Sequence, residues 1–314
     1  MADWQATASK ETLIQRAQLL AALREFFAQR DVLEVETPQL SKRTVTDLHL
    51  QSFPVPGERD HYFLQTSPEY AMKRLLACGS GSIYQICKAW RDEAPGRQHN
   101  PEFTMLEWYR IGFSLEQLMD EVEDLTRQIL NCAAIPRLSY KALFLEHLDI
   151  NPHLAEMETL AQLAARHIEL SAQNLSATDY LQLLMHHIIE PRLPEQCLVF
   201  DYPQDQAALA CISSNQDGEM VAQRFELYCN GMEIANGYQE LIDADEQQRR
   251  FQQDQAKREQ AGLPAIAEDE RLLDALRSGM PECSGVALGV DRLLMVLLGA
   301  DSIEQVLSFP VSRA

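Results

Sequence analysis

Residues Lys88 to Arg110 read KAWRDEAPGRQHNPEFTMLEWYR, and this stretch decides the fold. Ser82 to Arg91 (SIYQICKAWR) and Phe103 to Ile111 (FTMLEWYRI) are rich in β-branched and aromatic residues, as strands are. The polar turn between them carries Pro95, Gly96, Asn100 and Pro101. Successive side chains of a strand point to opposite faces, so residues i and i+2 share one. Phe103, Met105, Glu107 and Tyr109 therefore share a face. Arg91 and Glu93 point together if the first strand continues that far. One surface then carries a guanidinium, two carboxylates, a phenol and an aromatic ring. A sheet that served only for packing would present a dry face; this one reads as a site.

Upstream, Ser9 to Arg30 has helical periodicity, with Leu13, Leu19, Leu20, Leu23, Phe26 and Phe27 on roughly one face. Val32 to Pro38 reads as a strand closed by proline. Phe53 to Asp60 is expected to be a turn-rich loop, and Tyr62 to Gln65 a short strand. Ser67-Pro68-Glu69 opens a helix to about Ala77, with Ser67 as N-cap and Pro68 at the first helical position.

Downstream, Ser114 caps an acidic helix with an apolar stripe of Leu115, Leu118, Val122, Leu125 and Ile129. From about 136 to 194 the chain is mainly helical without a chemical motif, and reads as a helical insertion on the sheet. Adjacent helix positions point about 100° apart, so His186 and His187 are not expected to share a metal. Strands return at Cys197 to Tyr202 and Leu209 to Ser213. A hairpin follows, Arg224 to Tyr228 and Met232 to Leu241, around a Cys-Asn-Gly turn. Asn236, Tyr238 and Glu240 fall on one face of its second strand. Helices at about 245–261 and 268–278 read as solvated and amphipathic. Cys283 to Leu293 (CSGVALGVDRL) passes from a glycine-punctuated strand into an apolar helix ending at Gly299. On its own, the G-x-x-x-G spacing there means close backbone packing.

Composition narrows the class. A chain of 314 residues buries a sizeable core, as one large domain or two modest ones. Hydrophobic residues at 46% and charged residues at 24% are ordinary for a globular protein. There is no stretch long and apolar enough to span a membrane and no signal-like start, so the expected location is cytoplasm. Seven scattered cysteines without a C-x-x-C suit a reducing compartment better than a disulfide framework or zinc cluster. A net charge of −20 disfavours extensive nucleic-acid contact and favours cationic small molecules or basic protein surfaces.

R-D-E, a loop, then H-N-P-E-F-T-M-L-E resembles motif 2 of the class II aminoacyl-tRNA synthetases, closest to the lysyl branch. G-V-A-L-G-V-D-R resembles their motif 3, and the Ser9–Pro38 helix, strand and proline their motif 1. The resemblance covers nearly the whole chain. It implies an α+β fold, an antiparallel sheet flanked by helices, in a single catalytic domain over 1–314. It also implies a homodimer through motif 1 with Pro38 at the subunit boundary. The implied chemistry is attack of a substrate carboxylate on the α-phosphate of ATP, giving an acyl-adenylate. The implied catalytic residues are Arg91, on the α-phosphate and carboxylate, and Arg292, beside adenine or the γ-phosphate. For ATP the resemblance adds Glu93, His99 and Asn100, with Phe103 stacked on adenine and Glu226 and Glu233 holding Mg2+. It assigns the substrate to Ser67, Glu69, Glu107, Tyr109, Asn236, Tyr238, Glu240 and Ala287. So many carboxylates suit a small acid with two ammonium groups, because an unpaired buried charge is costly.

Two departures from the lysyl-tRNA synthetases stand out. Motif 1 starts near residue 30, so the anticodon-binding OB-fold domain is expected to be absent, and with it tRNA anticodon binding. Ala287 stands where those enzymes carry glycine, which narrows the pocket floor against α-lysine. A stand-alone lysyl-type core with T-S-P-E-Y, H-N-P-E-F-T-M-L-E-W-Y-R and C-S-G-V-A-L-G-V-D-R closely resembles the synthetase paralogues that act on elongation factor P, which implies (R)-β-lysine as substrate and a lysine of that protein as acceptor. A minimal lysyl-tRNA synthetase, a free amino-acid ligase and a non-catalytic paralogue remain as alternatives.

Overall fold

The computed structural model describes residues 4–169 and 175–314. In chain order its strands are β1 (Leu33–Glu34), β2 (Leu40–Ser41), β3 (Pro54–Pro56), β4 (His61–Leu64), β5 (Ile83–Trp90), β6 (Glu102–Ile111), β7 (Arg137–Ser139), β8 (Gln196–Pro203), β9 (Ile212–Ser214), β10 (Met220–Cys229), β11 (Met232–Gln239) and β12 (Cys283–Gly289). Its α-helices are α1 (Lys10–Ala28), α2 (Glu69–Ala77), α3 (Leu115–Leu130), α4 (Tyr140–Leu148), α5 (Met157–His167), α6 (Ala177–Leu184), α7 (Ala244–Gln260), α8 (Glu270–Arg277) and α9 (Val290–Leu298). They fall into two compact units. The first takes residues up to Phe113, with Gln128–Asn131 and Leu241–Ala314; the second takes Ser114–Arg127 and Cys132–Glu240.

In the first unit the strand order is β1-β5-β6-β12, antiparallel except for the β1–β5 pair. α1 starts where Ser9 accepts a hydrogen bond from the Thr12 amide at 3.1 Å, a side-chain N-cap. Its Leu19, Leu23, Phe26 and Phe27 are buried, each worth roughly 1.5–3 kcal/mol relative to exposure. Phe27 stacks on Tyr84 of β5 at 4.4 Å and meets Trp108 of β6 edge-on at 5.2 Å. α1 therefore covers the sheet face that carries Tyr84 and Trp108, leaving the opposite face for chemistry. Leu13, expected on the apolar face, is 40% exposed, because the buried stripe begins only at Leu19.

Other boundaries also differ from the sequence reading. The segment 53–60 is not wholly a loop: β3 pairs with β4, and β2 pairs with β4 on its other side. Pro54 and Pro56 fit because an outer strand need not donate on its free edge. α2 is capped by Pro68 rather than Ser67, whose hydroxyl accepts only a long 3.4 Å contact from the Glu69 amide. α7 is not merely solvated, since it buries Gln247, Phe251 and Arg258. The Arg258 guanidinium donates to the carbonyls of Pro264 (3.1 Å) and Asp47 (2.9 Å), which is what permits its burial.

In the second unit β10 lies between β8 and β11, both antiparallel to it, while β7 runs parallel to β8 and β9 pairs with β10. The β10–β11 turn has Asn230 and Gly231 both at positive φ, 52° and 70°, the backbone a two-residue hairpin needs. Any larger residue at Gly231 would also bring its Cβ to 2.9 Å from the Glu190 carbonyl. The stretch from 136 to 194 opens with β7 and continues as α4, α5, α6 and a π-helical turn, Met185–Ile189; its residues 170–174 lie outside the described set. α4 packs on β8, with Tyr140 stacked on Phe144 at 4.6 Å and tilted against Tyr202 at 4.9 Å. Among the described residues no helix is long and apolar enough to cross a membrane, and all seven cysteines are free thiols.

Candidate active site

Strand register assembles a face in the first unit. Glu107 of β6 lies opposite Gln85 of β5 on one side and Ala287 of β12 on the other. Alternation then puts Gln85 and Cys87, Phe103, Met105, Glu107 and Tyr109, and Gly285, Ala287 and Gly289 on one face. This is the face away from Tyr84 and Trp108. Glu107 is 2% exposed, and its Oε1 accepts from the Tyr109 hydroxyl at 2.6 Å. On β12, Ala287 and Gly289 are only half-buried while their neighbours are buried, so the face opens there. Burial, followed by the Glu107 charge, pushes the Cys87 thiol up to about 12. It is inert as a nucleophile.

The loop end of the face is built differently from the sequence expectation. β5 stops at Trp90, so Arg91 and Glu93 are not strand partners: the Glu93 amide turns back to the Arg91 carbonyl at 2.9 Å, and Glu93 is exposed. Arg91 is fixed instead by its own amide, which donates to the Pro101 carbonyl at 2.9 Å, and by its guanidinium, 5.1 Å from the Phe103 ring. Asn100 is buried and already committed. Its Nδ2 donates to the Glu102 carbonyl at 2.6 Å, and its Oδ1 accepts from the Val311 amide at 3.0 Å. It ties the loop to the chain's last turn.

Arg292, in the first turn of α9, donates to the Gln98 carbonyl at 3.3 Å and lies 2.7 Å from His99 Nε2. An arginine is always a donor, so that nitrogen accepts and His99 is neutral. Partial desolvation of the ring, then the Arg292 charge, lowers the His99 pKa below its ordinary value of 6.5. A lowered folded-state pKa gives a contribution present above 6.5 and lost as pH falls through the folded value. The effect is small, within about 1 kcal/mol, because the residue is exposed. His99→Gln, which accepts without titrating, should flatten the part of the Tm-versus-pH profile just below 6.5. Superimposable profiles would refute the contact.

Two groups that the sequence reading passed over anchor this unit. Asp291, 1% exposed, accepts from Arg16 of α1 through one oxygen and from the Thr104 amide of β6, at 2.6 Å, through the other. Lys73, also 1% exposed, pairs with Glu69 at 2.7 Å one helical turn away. Glu69, half-buried at the start of α2, thus has a lysine partner within its own helix.

In the second unit Arg224, Glu226, Asn236 and Tyr238 share a face of the β10–β11 hairpin, since Arg224 lies opposite Tyr238 and Glu226 opposite Asn236. Glu226 is almost fully engaged. One oxygen accepts from Arg224 and from Asn236 (3.2 Å), the other from the hydroxyls of Tyr202 (2.7 Å) and Tyr228 (2.6 Å). Glu233, opposite Tyr228, is half-buried, and Glu240 is buried just past β11, where it bridges to Ala210. No cluster of three or more acidic, histidine or cysteine side chains positioned for a metal occurs among the described residues.

A sequence model of the family described as tRNA synthetases class II (D, K and N) matches residues 1–313. The chain belongs to that family. Within this class II synthetase, motif 2 is the β5–β6 hairpin with its loop, and motif 3 is β12 running into α9. Similar proteins include one from Yersinia enterocolitica named elongation factor P--(R)-beta-lysine ligase, 50% identical over 100% of this chain and 99% of that protein. Proteins of the same name from Salmonella typhi and Salmonella paratyphi B are each 48% identical, with the same coverage of both chains.

Proposed function

We propose that the chain uses ATP to activate (R)-β-lysine as an aminoacyl-adenylate and passes the acyl group to the ε-amine of a lysine on elongation factor P. The substrate carboxylate attacks the α-phosphate and pyrophosphate leaves. The acceptor amine then attacks the adenylate carbonyl and AMP leaves. Such a reaction needs positioning and charge neutralisation rather than a protein nucleophile. The observation that carries the reading is Glu107: a buried carboxylate, braced by Tyr109, on a sheet face that opens at Ala287. A fixed buried carboxylate calls for a cationic guest. The names carried by relatives half-identical over their full length supply the substrate and the acceptor.

In this reading Arg91 binds the α-phosphate, Phe103 stacks on adenine, and Arg292 and His99 meet the nucleotide together, with Glu93 and Asn100 shaping the loop. Glu107, Tyr109 and Ala287, with Ser67 and Glu69, receive the amino acid; on the hairpin of the second unit Asn236, Tyr238 and Glu240 do so. Glu69 must then exchange Lys73 for a substrate ammonium, or share its two oxygens between them. Magnesium, when bound, neutralises phosphate charge. Glu233 and Glu226 offer the oxygen donors a hard cation takes, and Glu226 fits once Arg224 releases it. We further assign a single catalytic domain, a cytoplasmic location and a homodimer. Leu33, five residues before Pro38 in the chain, is 55% exposed, which suits a covered motif 1 surface. No role in tRNA anticodon binding is assigned.

ATP–pyrophosphate exchange tests this directly, with α-lysine, (R)-β-lysine or aspartate offered in turn. Exchange strongest with (R)-β-lysine is expected; an α-lysine preference would favour a minimal lysyl-tRNA synthetase, and no exchange a non-catalytic paralogue. Ala287→Gly should shift the β-to-α preference towards α-lysine by about tenfold, the scale of one methyl-sized group in a pocket. An unchanged ratio would remove Ala287 from substrate selection.

A further inference from the structure

Gln85 has no role in the readings above, yet it occupies one end of the row Gln85–Glu107–Ala287 that forms the floor of the first unit's face. It is 3% exposed, and its Oε1 is buried without a hydrogen-bond partner. Buried acceptors are normally satisfied, so this one asks for an explanation. The neighbours on the face do not bond it. The Tyr109 hydroxyl donates to Glu107 at 2.6 Å. The Glu107 carboxylate only accepts when ionised, and Ala287 has no polar side-chain atom. Gln65 spends its amide on the Lys88 carbonyl (2.8 Å) and the Cys87 sulfur (3.4 Å). The protonated Cys87 thiol, a weak donor beside the Gln85 side chain, also leaves Oε1 without a bond.

We infer that Gln85 is a further substrate-positioning residue, whose side-chain carbonyl accepts from the same substrate ammonium that Glu107 neutralises. This rests on the diamino-acid reading and deepens it. An ammonium carries three donors and no acceptor, so a single carboxylate leaves donors over. A neutral carbonyl directly across the strand pair takes one of them without adding charge. Two acceptors of different kinds then fix the direction of the N–H bonds. A second carboxylate at position 85 would place two acids side by side and force one to hold a proton. The choice of glutamine over leucine in a fully buried strand position follows from the same need. A strand position that served only for packing would be apolar.

The test uses Gln85→Met, which keeps length and loses the carbonyl, and Gln85→Glu, which keeps an acceptor. Calorimetric dissociation constants are measured for (R)-β-lysine and for two analogues, each lacking one of its ammonium groups. Exchange kinetics give KM for ATP and kcat. Gln85→Met should weaken (R)-β-lysine by about 10–100-fold, the scale of a hydrogen bond to a charged group. It should leave KM for ATP and kcat within about threefold. Against the analogues the loss should be selective: one analogue loses affinity by the same factor, and the analogue missing the relevant ammonium is unaffected. Gln85→Glu should recover most of the binding at pH values where the acid pair keeps its shared proton, since a protonated carboxyl retains a carbonyl acceptor. Equal losses for both analogues and for ATP would reveal a purely structural residue, and unchanged affinity for all would show that water satisfies the carbonyl. Either result overturns the inference while leaving the diamino-acid reading intact. Failure of the unaltered protein to bind any lysine isomer would overturn both.

Discussion

Arg91→Lys should lower the rate of ATP–pyrophosphate exchange by about 10²–10³-fold, roughly 3–4 kcal/mol of transition-state stabilisation, with little change in Tm. Charge alone is kept in this substitution, so the loss isolates shape. The guanidinium is a planar fork able to bridge two oxygens, and here it lies 5.1 Å from the Phe103 ring centre, which holds its plane. A lysine ammonium is a point charge on a flexible stem and makes neither the fork nor the stack. Backbone geometry should survive, because the Arg91 amide to the Pro101 carbonyl and the Asp92 amide to the Gln51 carbonyl anchor the segment independently of the side chain. Initial exchange rates at saturating ATP, with Tm measured on the same samples, decide the matter. A variant within tenfold of the unaltered protein would show that Arg91 is not the group that grips the transferring phosphate.

The parts legible in the sequence were those governed by local periodicity. The two strands around motif 2 lie within about one residue of their expected limits, because β-branched and aromatic residues fill SIYQICKAW and FTMLEWYRI and a Pro, Gly and Asn turn separates them. The β10–β11 hairpin was equally plain, since Asn-Gly at its tip selects the tight turn. What failed locally failed where two rules compete. Ser67 is a better cap than Pro68 by propensity, yet the backbone enters α2 one residue later. The strand rule extended β5 to Arg91, but β5 ends at Trp90: Arg91 still donates to Pro101 in the same register, Pro101 has no N–H to return, and Asp92 turns away to Gln51.

The surroundings that bury a side chain were not legible at all. Glu69 and Lys73 stand four apart in EYAMK, and that spacing alone suggests a surface pair; only burial makes Lys73 an interior charge that the site must accommodate. Arg258 looked solvated because α7 is among the most polar stretches of the chain, and nothing local reveals that the carbonyls of Asp47 and Pro264 await it. Gln85 was read only as a strand former. Its meaning depends on lying across from Glu107, a partner 22 positions away. Function was therefore more legible than its support: motif residues carry chemistry in a fixed spacing, whereas the residues that brace them are specified only by the fold.

Asp291→Ala should be strongly destabilising, lowering stability by about 3–5 kcal/mol and Tm by about 10 °C. The motif 3 resemblance directs attention to Arg292, but its neighbour joins three elements. From the first turn of α9 the Asp291 carboxylate reaches Arg16 on α1 and the Thr104 amide on β6. Removing it leaves a largely buried guanidinium without its charge partner and strips the Thr104 amide of its acceptor; both are costly because neither is replaced by water. Arg16 keeps one bond, to the Val306 carbonyl at 3.1 Å, which does not compensate charge. Arg16→Met alone should cost less, since Asp291 would retain the amide and the helix N-terminus that favours a negative charge. Combined, Arg16→Met and Asp291→Ala should destabilise by clearly less than the sum of the two, the signature of a direct pair. Thermal unfolding of the three variants measures all of this. Strict additivity, or a Tm shift under about 2 °C for Asp291→Ala, would mean that α9 is held by its apolar face alone.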